Sequence, residues 1–149
     1  MRMAVWIMTG VLAMGLLSAP LQAEEQPAGY IKKVSGAVTI VRRGTAIPAR
    51  PGDAVYQNDG LRTGADGRVG VTLKDDTRVS LGADSEIDLS EFKFSPAEGE
   101  LGLVMKLVRG VAAFVTGRIG ELRPDAVRIE TPTTIVGVRG THFVIQAGP

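Results

Sequence analysis

The chain has 149 residues, 44% hydrophobic and 22% charged, with a formal net charge of +1, a length that is a prior for one domain with a real apolar core. Without residues 1–23, which carry Arg2 and no acid, 16 bases balance 16 acids, so the basic footprint of a nucleic-acid binder is missing and no such partner is expected. Cysteine is absent, which excludes a disulfide framework, a thiolate metal site, a cysteine nucleophile and a lipoprotein anchor.

The chain opens MRMAVWIMTGVLAMGLLSAPLQAEE. Arg2 is a short positive region, residues 4–17 are apolar, and Pro20 breaks the helix before Leu21-Gln22-Ala23. That order predicts a secretory signal over residues 1–23, cleaved between Ala23 and Glu24, with Ala19 as a second site. An uncleaved membrane anchor is the alternative, since 21 uncharged residues are long enough to span a bilayer. Either way the body of the protein is expected outside the cytoplasm, in the periplasm, with no membrane span after cleavage. Residues 24–29 are polar and read as a disordered lead, and the β domain is predicted over 30–149.

Nineteen glycines and eight prolines point to many turns, and so to short strands. A β-branched run covers residues 30–42, interrupted by Gly36. Residues 44–50 read as a turn-rich link. Asn58-Asp59-Gly60 and Ala65-Asp66-Gly67 are strong turn signals. Val69, Val71 and Leu73, then Val79 and Leu81, then Ile87 and Leu89 alternate with polar or small residues, as half-buried strands do. Val71, Val79 and Ile87 recur every eight residues, as do Leu73, Leu81 and Leu89. Even spacing puts all six on one face of a sheet. A β-meander and a stacked β-solenoid both satisfy the pattern. The fold class is therefore all-β, a single domain of short strands, solenoid- or roll-like or a meander sandwich.

Residues 92–99 read as a loop after the third of these strands. Residues 101–108 have near-helical apolar spacing, yet the flanking glycines and the VRGVAAFVTG that follows favour two strands turning at Arg109-Gly110. Residues 117–125 read as another loop, and 127–130, 135–138 and 142–146 as closing strands.

The segment TPTTIVGVRGT over residues 131–141, followed by Phe143, resembles the signature of FecR-domain proteins. Gly52-Asp53, then Asp59-Gly60-Leu61-Arg62-Thr63-Gly64, the Asp75-Asp76-Thr77 hairpin and residues 107–116 follow the family's order. The resemblance covers residues 30–146. It implies a periplasmic all-β domain used in envelope sensing and protein interaction. The family's membrane-bound regulators carry a cytoplasmic segment before their membrane helix, whereas here the apolar stretch stands at the start. A free-standing periplasmic module, with an envelope protein as partner, is the expectation.

Candidate chemistry is sparse. Gly137 and Gly140 flank Val138-Arg139, followed by Thr141. As structure, the glycines would permit close backbone approach or positive φ, and Arg139 would pair with a carboxylate or cap carbonyls. As a binding site, Arg139, Thr141, Gly137 and Gly140 would receive an acidic group, since a guanidinium forks onto carboxylates. His142 is the lone histidine and no serine sits in G-x-S-x-G, so neither a triad nor a metal centre is indicated. Asp75, Asp76 and Asp84 read as turn residues and not as a calcium loop. Glu86, Asp88, Glu91, Glu98 and Glu100 read as surface charge opposite a buried face, not as a glycosidase pair. No cofactor or metal is expected, and a non-catalytic binding module is preferred to a cell-wall hydrolase or a structural part of an envelope assembly.

Overall fold

A few backbone corners decide how this chain folds. The computed structural model describes residues 25–148, so the predicted signal and its Ala23/Glu24 cleavage point lie outside the described residues. The 12 strands form one curled, half-barrel sheet. All pairs are antiparallel except one.

The sheet has two arms. The first holds β1 (Gly29–Ser35), β4 (Ala54–Val55), β6 (Arg68–Leu73), β7 (Arg78–Leu81) and β12 (His142–Ala147). The second holds β2 (Val38–Arg42), β3 (Thr45–Pro48), β5 (Gly60–Thr63), β8 (Glu86–Ser95), β10 (Val127–Glu130) and β11 (Ile135–Gly137). Strand β9 (Glu100–Val115) belongs to both. Its first part pairs β8 and, in parallel, β10; its last part pairs β7 and β12.

Four of the places where the chain crosses between arms, at residues 35–38, 63–68, 81–86 and 109–111, are hydrogen-bonded side by side. Gly64 N–H donates to Ala37 O (2.9 Å), and Asp84 N–H donates to Gly64 O (3.0 Å). Thr63 Oγ1 donates to Gly82 O (2.6 Å) and accepts from Ser85 N–H (2.9 Å). Val111 N–H donates to Ser85 Oγ (2.9 Å), and Gly82 N–H to Val111 O (3.0 Å). Thr63 and Ser85 are buried for this purpose. Gly110 bends β9 with φ +89°, and a Cβ there would collide with Ser85.

Inward side chains of both arms meet in one core. Ile31, Val71, Val79 and Phe114 come from the first arm, and Ile40, Leu61, Ile87 and Leu107 from the second. All six residues of the eight-residue repeat are buried, as their even spacing predicts. Ile119, fully buried, comes from a short helix α1 (Arg118–Leu122).

Six details differ from the sequence expectation. Residues 44–50 contain β3, because Arg43 (φ 51°) and Gly44 (φ 78°) close a tight hairpin onto β2. Residues 92–99 are not all loop: β8 runs on to Ser95, with Phe92 and Phe94 against the core. A register shift between Leu89 and Glu91 interrupts the alternation there. Residues 101–115 do not turn at Arg109-Gly110; they lie in the single 16-residue β9, which Gly110 bends without reversing. Residues 117–125 include α1. Finally β7 and β8 are not meander neighbours, although β6 and β7 are a hairpin. They lie end to end along one edge of β9, so neither a pure meander nor stacked parallel coils describes the sheet. The body starts before residue 30: Ala28 is buried and its N–H donates to Val55 O at 2.7 Å.

The corner predicts a graded response to alanine. Gly110→Ala is expected to destabilise by roughly 3 kcal/mol, from positive φ plus overpacking against Ser85. Gly44→Ala, with similar φ but open space around it, should lose only about 1 kcal/mol. Urea unfolding of the two variants checks this, and equal losses would refute the corner.

Candidate functional site

The signature segment joins β10 to β12. Residues 131–134 close a tight turn: Thr131 N–H donates to Thr134 O (2.8 Å), and Thr134 N–H to Thr131 Oγ1 (3.1 Å). Strand β11 then pairs back on β10. From Gly137 to Thr141 the chain leaves the sheet. Thr116 ties it down again, its N–H donating to Thr141 O (2.8 Å) and its Oγ1 to Gly140 O (2.9 Å).

Under this segment lies a cleft of about 1060 Å³. Gly137, Arg139, Gly140 and Thr141 all line it, so the four sequence-selected residues are brought together. The opposite wall is α1 and the turn after it, with Glu121 and Asp125, and Arg128 also faces in. Ile135, 63% exposed, lies at the rim.

Of the structural roles expected, one is present. Gly140 has φ +139°, a region that favours glycine, whereas Gly137 has ordinary φ and open space around its Cα. Close backbone approach is therefore not the reason for either glycine. Arg139 is exposed and makes no ion pair or hydrogen bond among the described residues. Val138 beside it is buried and anchors the segment.

His142 is exposed on β12, opposite Val115, with no acid or hydroxyl partner among the described residues. Its neighbour Phe143 stacks on Phe114, ring centroids 4.9 Å apart. Asp75 is fully buried at the β6–β7 hairpin, where its carboxylate accepts from Thr77 N–H (3.1 Å), Thr77 Oγ1 (2.7 Å) and Ile119 N–H (3.3 Å). It is a turn residue, as read, and it also holds the cleft wall α1 in place. That second task had no local signal, because Asp75 and Ile119 are distant in the chain.

Two members of the acidic stretch, Glu86 and Glu91, are ion-paired. Glu86 meets Arg62 (3.0 Å) and Arg109 (3.8 Å), and Glu91 meets Lys93 (3.2 Å). Partial burial, then the neighbouring Glu86 charge, hold the Asp88 carboxyl above its ordinary value. Asp59 is buried and bidentate with Arg42 (2.9 and 2.7 Å), whose guanidinium that hydrogen bond holds above its ordinary value.

Residues 59–149 match the family model described as FecR protein, more than half of the chain. The chain belongs to the FecR family. No curated protein and no solved structure matched it. The FecR segment begins at Asp59, whose partner Arg42 lies upstream of it, and β1 pairs with β6 inside it. The FecR match and the preceding strands are thus one folded body. Among the described residues no helix is long and apolar enough to cross a membrane.

A raised carboxyl predicts a sign. The native state holds the Asp88 proton more tightly than the unfolded chain, so stability falls as pH rises through and above the ordinary carboxylate range. Asp88→Asn should therefore match the parent in acid and exceed it at neutral pH. Thermal melts across pH check this; a variant less stable at neutral pH than in acid, relative to the parent, contradicts it.

Proposed function

We propose that this FecR-family chain is an exported, non-catalytic module of the bacterial envelope that binds a protein partner at the cleft under residues 137–141. Arg139 carries the interaction by receiving an acidic group of the partner. One observation supports this above others: an exposed arginine, free of carboxylates among the described residues, stands on the link between two strands with open edges. Among the described residues β11 pairs only with β10, and β12 only with β9. An open edge recruits a partner strand by main-chain pairing, and an arginine beside it adds specificity. Family membership points the same way, towards envelope signalling. The apolar N-terminal stretch, ending at Ala23, fits export to the periplasm with cleavage before Glu24.

The test is capture of a defined partner from envelope extract by the full chain. Arg139→Ala and Ile135→Lys are each expected to weaken capture about tenfold or more with melting unchanged, as central arginine and edge positions do. Turnover of cell-wall glycan by the protein, abolished by His142→Ala, would overturn the reading in favour of a hydrolase. Mass spectrometry of the exported chain is expected to find Glu24 as its first residue.

A further inference from the structure

The two arms of the sheet carry charge differently on their outer faces. On the second arm, cations and carboxylates neutralise one another: Arg62 and Arg109 on Glu86, Lys93 on Glu91, Arg128 on Glu130. On the first arm Lys32, Lys33, Arg68 and Arg78 are all exposed, and none forms an ion pair among the described residues.

Strand register shows how these cations are arranged. Lys33 stands opposite Gly70, Gly70 opposite Ser80, Ser80 opposite Ala113, and Ala113 opposite Val144. A row of small residues therefore crosses the face from a lysine to an exposed valine. Arg68 stands two positions from Gly70 on one side, and Arg78 two positions from Ser80 on the other. The result is a depression of about 720 Å³ with Lys32, Lys33 and Arg68 in its walls and no carboxylate among its lining residues.

Like charges gathered without counter-charge repel one another, and they draw in an anionic partner. We infer that this depression is a docking surface for an extended acidic polypeptide segment, its carboxylates meeting Lys33, Arg68 and Arg78. The spacing fits such a chain. Alternate side chains of an extended peptide recur about every 6.8 Å, as do the rows of the sheet face. Acids four positions apart thus span the roughly 13 Å between the Arg68 and Arg78 rows. The shape fits too: the floor of Gly70, Ser80 and Ala113 carries only small side chains, so an extended main chain can lie close to it. No aromatic ring lines the depression on which a base would stack. This surface shares no lining residue with the Arg139 cleft and does not depend on it.

Fluorescence anisotropy of the full chain with a labelled peptide of about 12 residues, glutamate alternating with serine, tests this directly. Binding is expected at low ionic strength and should weaken as salt is added. The exposed double reversal Lys33→Glu with Arg68→Glu is expected to weaken it about tenfold or more. Ser80→Trp, which fills the floor without changing charge, should also abolish binding, while Arg139→Ala leaves it intact. Melting curves show that each variant is folded. Equal peptide affinity of parent and double reversal would overturn the proposal. So would unaltered binding by Ser80→Trp, or capture of phosphatidylglycerol vesicles without capture of the peptide.

Discussion

The fold depends on one seam of hydrogen bonds at which the sheet bends. A sheet that folds over itself breaks its own ladder at the bend, and the freed peptide groups need partners because they are buried. Here four crossings of the chain are stacked, so each supplies partners for the next: Ala37 for Gly64, Gly64 for Asp84, Gly82 for Val111. Two hydroxyls, on Thr63 and Ser85, complete the set where main chain alone does not reach. Space is the second condition. Gly110 approaches Ser85, and Gly36 approaches Asp66, more closely than a Cβ allows. Both have positive φ. The corner is therefore a place where only certain residues fit, whereas the strands on either side need only an apolar inner face.

That difference explains how much of the fold could be read from residues. Alternation of apolar side chains is a local signal, and the strands that it marked at residues 69–73, 79–81 and 87–89 are present with the predicted face buried. Corners are not local. Arg109-Gly110 has the composition of a hairpin turn, yet positive φ at one glycine produces a bend as readily as a reversal. What decides is the continuous edge that β7 and β8 present to β9, which is formed by residues far away in the chain. The same holds for Phe92 and Phe94. A single register slip at residue 90 shifted the alternation, so the second half of β8 looked aperiodic.

The cleft was legible on one side only. Gly137, Arg139, Gly140 and Thr141 stood out as parts of the GVRGT run, where two glycines flank an arginine, and all four line it. Glu121 and Asp125 sit in a five-residue helix and the turn after it, too short for a periodic pattern to appear. Charge was hidden in another way. Equal numbers of acids and bases over residues 24–149 suggest an evenly mixed surface. Cross-strand pairing instead places Glu86 of β8 against both Arg62 and Arg109 and leaves the cations of β1, β6 and β7 without an ion pair among the described residues. Net charge does not report such segregation, because it depends on which strands become neighbours.

One strand links these features mechanically. β9 receives the signature segment on one edge, through β10 and β12, and the bent β7–β8 arm on the other. Asp75 adds a second attachment by gripping the start of α1 through Thr77 and Ile119, with Gly117 N–H on Thr77 Oγ1 at 3.1 Å. The cleft wall is thus anchored to the β6–β7 hairpin, the hairpin whose outer face bears Arg68 and Arg78. Residues 131–141, in contrast, are mostly exposed, held by Val138, Thr116 and the turn at 131–134. Few buried contacts mean a low cost of local rearrangement. A rigid wall facing an adjustable segment lets that segment shift without disturbing the seam on which the fold relies. Burial alone draws the distinction: the inner face of the sheet holds the shape, and the connection over residues 131–141 stays largely outside the core.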